Sequence, residues 1–172
     1  MTTTVESLFL RFSVEKLAQF EQRIEVCLSK LTEEQIWARG HENENAIGNL
    51  VLHLSGNVTQ WILGGLDGAA IHRDRDGEFA TRGGMDAKIL ADRIRATVEQ
   101  AMGVIANLTT EDLTRSYSIQ NYQVSGVDAV YHVVEHFAQH TAQIIFATKI
   151  LTEEDLGFYR HLKQPAHEEN VP

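Results

Sequence analysis

The near absence of proline is the feature that most constrains how this chain can fold. Both of its prolines, Pro165 and Pro172, lie close to the C-terminal end. Because proline disrupts helix interiors, the rest of the chain places no such limit on helix length. Apolar residues also recur at steps of three and four along four segments, which is typical of helices with one buried face. These segments, residues 5–30, 45–66, 86–108 and 126–151, predict an all-α four-helix bundle.

The stretches between these segments are of two kinds. Six glycines punctuate residues 64–84, and a loop longer than the usual bundle connection is often functional. Residues 109–125 include an alternating set that could form a short extended pair: Tyr117, Ile119, Tyr122 and Val124. The end from Gln164 onward has the character of a frayed terminus. With 172 residues and no internal repeat, the sequence predicts one domain over 1–172.

The overall charge and the cysteine content exclude several classes of function. Acidic residues outnumber basic ones by 24 to 15, and the net charge of −9 argues against binding to a phosphate backbone. A single cysteine, Cys27, can form neither an internal disulfide nor a cysteine zinc cage. No apolar run approaches the ~20 residues that span a bilayer, and the first residues lack the basic start of a signal peptide. The sequence therefore predicts a cytoplasmic protein without a nucleic-acid or membrane partner.

Three histidines in the fourth predicted helix, His132, His136 and His140, are the main clue to function. At about 100° per residue, His140 falls at the edge of the apolar cluster, His136 lies farther round, and His132 farther still. Because residues four apart stack on one face, His136 and His140 can present two imidazoles to a single ion. Gln143 returns to the same strip and can line the pocket or orient a ligand. The alternative is that these histidines are solvated or hydrogen-bonded to neighbours.

A further histidine, His53, borders the apolar stripe of the second predicted helix. Asn57, one turn on, could orient His53, and Trp61 on the same stripe could form a wall of the pocket. Taken alone, His53 would be a hydrogen-bonded histidine at the edge of the core. Two histidine sites that face one bundle interior favour a divalent-metal site instead. Three neutral imidazoles leave a tetrahedral ion one ligand short, which is the open position that a catalytic metal needs.

Two other histidine motifs can be set aside. The run from His132 to His136 matches the His-x-x-Glu-His pattern of inverted zinc proteases. However, Glu135 projects nearly opposite the buried face, and the chain that follows is too short for such a catalytic domain. Di-iron carboxylate bundles need a Glu-x-x-His step. No glutamate in this chain is followed by a histidine three residues later.

Several segments together resemble a known family. They are the run from Asn45 to Asn57, the loop from Arg73 to Phe79, and the run from His132 to His140 with the Gln143-Ile144 pair that follows. In combination they resemble the DinB/YfiT-like metal-binding bundles, and the run from Glu154 to Tyr159 is similar to one bacterial branch of that family. The last histidine motif departs from the common family version, because Ala142 replaces a glycine.

The resemblance implies both a topology and a metal site. It implies an up-down-down-up four-helix bundle with a long crossover connection, and homodimers in many members. It also implies a zinc or nickel ion on one histidine of the second helix and two of the fourth, at the positions of His53, His136 and His140. Relatives include S-transferases that use bacillithiol or mycothiol, and an isomerase that uses mycothiol.

Two classes of function remain open from the sequence. In the first, the protein is an enzyme in which the metal activates a low-molecular-weight thiol for attack on a small electrophile, or, as a variant, activates water for hydrolysis. Arg73, Arg75 and Arg82 could then hold the carboxylates of the thiol; alternatively they are solvated loop charges that pair with Asp74 and Asp76. In the second class, the protein is a non-catalytic metal- or ligand-binding stress protein.

Overall fold

A computed structural model describes residues 4–162, so the frayed end expected from Gln164 onward lies outside the described residues. The helices are, in chain order, α1 (Val5–Leu28), α2 (Glu33–Trp37), α3 (Ile47–Val58), α4 (Arg75–Ala80), α5 (Ala87–Ala106), α6 (Thr110–Thr114) and α7 (Gly126–Thr152). The strands are β1 (Ser116–Ile119) and β2 (Tyr122–Ser125), and a short 3-10 turn covers Arg160–Leu162. The predicted all-α bundle is confirmed, with one small hairpin added to it.

The four long helices form the bundle. Helix α1 packs against α5 and α7, and α3 packs against the same two helices, so α1 and α3 occupy opposite corners. The largest fully buried side chains come from all four helices, among them Leu17, Leu54, Ile94 and Phe137. Burying each of these stabilises the fold by roughly 1.5–3 kcal/mol. None of the helices in residues 4–162 is long and apolar enough to cross a membrane.

Side-chain caps define where most of these helices begin. Thr4, Asp86 and Ser125 each accept a hydrogen bond from the backbone N–H three residues later, at the starts of α1, α5 and α7. Helix α3 differs, because Ala46 at its N-cap has no side-chain acceptor. There the side chain of Asn49 reaches back and accepts from the Ala46 N–H at 3.2 Å. Asn49 is fully buried, and its side-chain nitrogen binds the backbone carbonyl of Glu78.

The second bundle helix does not end at Val58. The chain continues as a π-helical segment over Thr59–Leu66, in which hydrogen bonds reach one residue farther than in an α-helix. The predicted end at residue 66 is reached in this way. A π-helical turn is wider than an α-helical one and is frequent at functional sites. Here it carries Gln60, which accepts a hydrogen bond from Arg73, and Trp61, whose ring packs on that of His132.

The glycine-punctuated segment contains a helix that the sequence analysis did not predict. Asp74 accepts from the Gly77 N–H at 2.9 Å and thereby begins α4, so residues 75–80 are helical within the stretch predicted as loop. The predicted extended pair is present: β1 and β2 are antiparallel and joined by Gln120 and Asn121, both at positive φ, as in a type I′ turn. A Cβ at Gly65 would lie 2.5 Å from Ile119 Cδ1, so the hairpin packs directly on the π-helical segment.

Candidate metal centre

Three histidine side chains from two helices meet at one point of the bundle. His53 Nε2 lies 3.1 Å from His136 Nε2, and His140 Nε2 lies 3.2 Å from the same atom. One ring nitrogen from each residue lies within 4.8 Å of the others. Two imidazoles at bond lengths of 2.0–2.1 Å from a tetrahedral ion are separated by roughly 3.3 Å. The spacing of the three nitrogens therefore suits a single metal ion, and the structure brings together the three residues that the sequence analysis selected.

The outer nitrogens of two of these rings are held by hydrogen bonds. His53 Nδ1 lies 3.0 Å from a carboxylate oxygen of Glu78, and His140 Nδ1 lies 2.6 Å from the side-chain oxygen of Gln143. Since both oxygens accept, these two contacts favour the tautomer with the proton on Nδ1, while at His53 the Arg73 Nη2 atom also lies 3.2 Å from that nitrogen. The Nε2 lone pairs are then directed toward the centre, which is the tautomer that metal-binding histidines use.

His136 lies between the other two rings. Burial lowers its pKa to about 3, and the neighbouring His140, His53 and His132 contribute in the same direction. Burial likewise lowers the pKa of His140, although the hydrogen bond that His140 donates to Gln143 opposes this effect. Within residues 4–162, the buried Nδ1 atom of His136 has no hydrogen-bond partner. Because protonation of His136 is so disfavoured here and its Nε2 atom lies beside those of His53 and His140, a divalent cation fits this donor set.

A buried ion pair supports His53 from behind. Arg73 donates to both oxygens of Glu78, with Nε at 2.7 Å and Nη2 at 2.8 Å, and its Nη1 donates to Gln60 at 2.7 Å. The side chains of Arg73 and Glu78 are only 6% and 8% exposed. Burial raises the pKa of Glu78, but the hydrogen bonds from Arg73 and His53 outweigh it, so the pKa lies below its usual value. Glu78 is therefore an anionic partner of His53, a role that the sequence analysis did not assign.

Asn49 fixes the short helix that carries Glu78. Its side-chain nitrogen donates to the backbone carbonyls of Glu78 at 2.8 Å and Thr81 at 2.9 Å. Its oxygen accepts from Ala46 and from Arg39, and Arg39 also donates to the Phe79 carbonyl at 2.9 Å. All four hydrogen-bonding positions of this buried amide are thus occupied, which holds α4 against α3 in one arrangement.

The other predicted pocket residues lie close to the triad, with one change of partner. Gln143 contacts His140 as expected. Asn57 was expected to orient His53, but its side-chain nitrogen lies 3.3 Å from His132 Nε2, because Glu78 already occupies the outer nitrogen of His53. Trp61 packs its ring against His132, with the ring centroids 3.9 Å apart, and so forms a wall of the site through that residue.

The three arginines expected to form a substrate loop have different environments. Arg73 is buried and held by Glu78. Arg82 donates to the carbonyls of Phe79 and Ala80 at the end of α4, at 2.7 and 2.8 Å. Arg75 is exposed and lies over the ring of Phe79, 5.1 Å from its centroid, and that ring in turn contacts His53. Of the three, Arg75 keeps a charged group available near the triad.

Gly56 leaves the space that the Glu78–Arg73 pair occupies. A Cβ at this position would lie 1.9 Å from a carboxylate oxygen of Glu78 and 2.9 Å from Arg73 Nε. The carboxylate cannot move aside without losing its bonds to Arg73 and His53. A glycine inside a helix therefore has a structural reason here.

Gly56→Ala is expected to destabilise the protein by about 1–3 kcal/mol and to weaken metal binding about tenfold. The usual sign for Gly→Ala inside a helix is the opposite, a gain of roughly 0.5–1 kcal/mol. The matched control is Gly103→Ala in α5, where a Cβ would have nothing within 4 Å. Chemical denaturation and metal titration of both variants check the prediction, and a Gly56→Ala protein as stable as Gly103→Ala would contradict it.

Comparison with known proteins identifies relatives at the level of family and fold. The profile of a family described as a protein of unknown function (DUF1572) matches residues 4–164. A conserved protein from Enterococcus faecalis is 14% identical, with a TM-score of 0.73 over 89% of this chain and 100% of that chain. A DinB-like protein from Bacillus cereus ATCC 10987 is 16% identical, with a TM-score of 0.65 over 81% of this chain and 90% of that chain. No curated protein matches the sequence.

Proposed function

Because the chain belongs to the DUF1572 family and has the DinB-like fold, we propose that it is a metal-dependent thiol S-transferase. In this proposal, one divalent ion, zinc or nickel, is held by His53, His136 and His140. A low-molecular-weight thiol is the co-substrate: it releases its proton to solvent, and its sulfur bonds to a carbon of a small electrophile as the leaving group on that carbon departs. The observation that carries the proposal is the convergence of one ring nitrogen from each of the three histidines, all within 4.8 Å of one another.

The chemistry of the donor set favours capture of an anion. A divalent ion held by the uncharged forms of these three imidazoles would keep its full positive charge and would lower the pKa of a thiol or water bound to it. Glu78 and Gln143 keep His53 and His140 in the tautomer that leaves Nε2 free. The negative charge of Glu78 is balanced by Arg73, so it does not repel an incoming thiolate.

Thiol transfer is favoured over hydrolysis because a free general base is missing from the described site. Glu135 is exposed and accepts a hydrogen bond from Gln139 at 3.1 Å, away from the buried face of α7. Glu78 is already bound by Arg73 and His53, and its lowered pKa makes it a weak base. A thiolate needs no such base once its proton has left. Because the described site has no free general base, the second candidate function is a non-catalytic metal- or ligand-binding protein.

A thiol that carries a carboxylate would find one arginine free to receive it. Arg75 is exposed beside Phe79, and the ring of Phe79 lies 4.7 Å from that of His53 between centroids. Arg73 and Arg82 are engaged by Glu78 and by backbone carbonyls. We therefore assign recognition of the thiol carboxylate to Arg75 among the three arginines.

We expect metal-dependent conjugation of one thiol from a panel of bacillithiol, mycothiol, glutathione and cysteine to a chromogenic electrophile. The reaction should require metal and be abolished in His136→Ala. Arg75→Gln should raise KM for the thiol with little change in kcat, because the arginine lies outside the triad. Lack of turnover with every thiol, in protein with a filled metal site, would reject the transferase and favour the hydrolase or the non-catalytic binder.

We also propose that the protein is a homodimer. Three apolar side chains spaced along α1, Val5, Leu8 and Phe12, are 85%, 43% and 56% exposed, and exposed apolar patches mark interfaces. Light scattering at tens of micromolar should give twice the chain mass of 19.3 kDa. Phe12→Glu should yield a monomer, whereas Phe146→Glu, at an aromatic position on α7 that is 68% exposed, should remain dimeric. A monomeric wild-type protein would refute the dimer, and the reverse result for the two variants would move the interface to α7.

A further inference from the structure

A second cavity lies on the far side of α7 from the histidines. It has a volume of about 400 Å³ and is bounded by α1, α7 and the chain segment 155–160. Small residues of α7, Ala138 and Ala142, leave the space, while Phe20, Ile145 and Phe158 supply apolar walls. This volume lies within the range of small-molecule sites, roughly 300–1,000 Å³. None of the three metal-site histidines lines it.

The charged residues of this cavity have the opposite sign to the protein as a whole. Arg23, Lys149 and Arg160 line it together with one carboxylate, that of Asp155, which lies 3.5 Å from Arg160. Within residues 4–162 neither Arg23 nor Lys149 has an ion-pair partner; Arg23 lies over the rings of Phe158 and Tyr159, at 5.3 and 5.2 Å from their centroids, and donates to the Tyr159 hydroxyl at 3.4 Å. The chain carries a net charge of −9. A cationic lining attracts anions to this cavity although the protein as a whole is acidic.

An unsatisfied hydroxyl also belongs to this cavity. The Oγ1 atom of Thr141, which lines the cavity, is buried and has no hydrogen-bond partner in the described part of the chain. Two other threonines of α7 behave differently: Thr148 and Thr152 each donate to the carbonyl four residues earlier, at 2.8 Å. Buried hydroxyls without a partner are costly. Because threonine in a helix divides between two χ1 rotamers, this hydroxyl can turn to donate to a ligand.

We propose that this cavity binds a small organic anion with an apolar body, an aromatic or medium-chain carboxylate. The apolar body packs on Phe20, Ile145 and Phe158. The carboxylate faces Arg23 and Lys149 and accepts a hydrogen bond from Thr141. The lining combines apolar walls with two cations that have no carboxylate partner in the described chain, so neither a neutral hydrocarbon nor inorganic phosphate matches it as well.

The test uses a matched pair of fluorescent probes and the full-length protein. The anionic probe is 8-anilinonaphthalene-1-sulfonate, and N-phenyl-1-naphthylamine presents nearly the same body without charge. We expect saturable binding of the anionic probe that decanoate displaces. Arg23→Gln combined with Lys149→Gln should weaken the anionic probe about fivefold and leave the uncharged probe unchanged. Equal weakening of both probes, or of neither, would overturn the role of the charges.

Two single variants locate the binding. Ala142→Trp fills the cavity and should weaken the anionic probe about tenfold or more, whereas Ala96→Trp at an exposed position of α5 should have no effect. Thr141→Val should weaken the probe about fivefold while raising the melting temperature of the free protein by about 2–4 °C, because it removes an unsatisfied hydroxyl. Unchanged binding in Ala142→Trp would place the probe elsewhere and reject the proposal. A change in oligomeric state in that variant would assign the cavity to a second copy of the chain instead.

Discussion

His53→Ala, His136→Ala and His140→Ala are each expected to abolish stable metal binding. The wild-type protein should hold about one divalent ion per chain, and each substitution removes one of three protein ligands. The three Nε2 atoms lie within 4.8 Å of one another, and two remaining imidazoles cannot enclose an ion in the same way. We expect affinity to fall more than about a hundredfold in each variant. Metal analysis of protein purified without a metal-affinity tag, followed by calorimetric titration with zinc and nickel, measures this effect.

His132→Ala is the matched control for these variants. His132 lies one turn before His136 on the same helix, and its ring centroid is 5.5 Å from that of His136. Its Nε2 atom, however, is occupied by Asn57, and its ring packs on Trp61. It should therefore retain the metal. Equal loss of metal in all four variants, or loss in none, would eliminate the proposed triad.

The dependence of the melting temperature on zinc is a second test of the three-histidine metal site. A metal that binds the folded chain raises its stability by about 4 kcal/mol when its concentration is a thousand times the dissociation constant. The melting temperature of the wild-type protein and of His132→Ala should therefore rise with added zinc. The three triad variants should melt at a temperature that does not depend on zinc. A variant that loses activity but keeps this zinc dependence would show that its histidine acts in some other way.

The bundle and the three histidines could be predicted because both depend on local periodicity. Helical spacing puts His136 and His140 on one strip and His53 at the edge of another apolar stripe. Because no proline occurs before Pro165, the sequence predicts both helices without an interruption. Helical periodicity identifies which residues share one face of a helix. It does not identify which side chains of another helix or strand contact that face.

Glu78 illustrates the part that could not be predicted. It lies 25 residues after His53 in a segment read as loop, where no repeat relates it to the helix that it contacts. The chain has 24 acidic residues, and nothing in the sequence around Glu78 indicates that this one is buried. Two signals were nevertheless present: Gly56, a glycine within a helix on the side of His53, and Asn49, a polar residue one turn before His53 on that same side. The roles of both residues become clear only when α4 packs against α3, because Gly56 leaves space for Glu78 and Asn49 binds the backbone of α4.

The change from α- to π-helical hydrogen bonding after Val58 could not be predicted from the sequence either. The apolar stripe of the predicted segment runs to residue 66 under either pattern. The wider turn is stabilised by tertiary packing, since the hairpin residue Ile119 lies against Gly65. The hairpin itself places Gln120 next to Trp61 and Gln60. Side chains from three separate segments thus surround the histidines, and only the fold brings them together.

The buried pair behind His53 leads to the second large expected effect, on both stability and metal affinity. Glu78→Ala leaves Arg73 buried without its partner, and removal of one member of a buried pair costs on the order of 3 kcal/mol. Glu78→Gln keeps an acceptor for one hydrogen bond and should cost less. In both variants the outer nitrogen of His53 loses its anionic partner, so metal affinity should fall about 10- to 100-fold. The matched control is Asp76→Asn, an exposed position on the same short helix, with an expected change below about 0.5 kcal/mol.

The dependence of stability on pH separates the role of Glu78 from that of the histidines in metal-free protein. The pKa of Glu78 is lowered by folding, so its contribution is complete above about pH 4.5 and is lost as the pH falls through the lower folded value. The pKa of His136 is lowered from 6.5 to about 3, so its unfolded form binds protons first and stability already declines below pH 6.5. Unfolding free energies between pH 7 and pH 3 should show both declines in wild-type protein. Glu78→Gln should keep the decline that begins at pH 6.5 and lose the additional one below pH 4.5. An unchanged profile in that variant would mean that Glu78 is not ionised as the partner of Arg73 and His53.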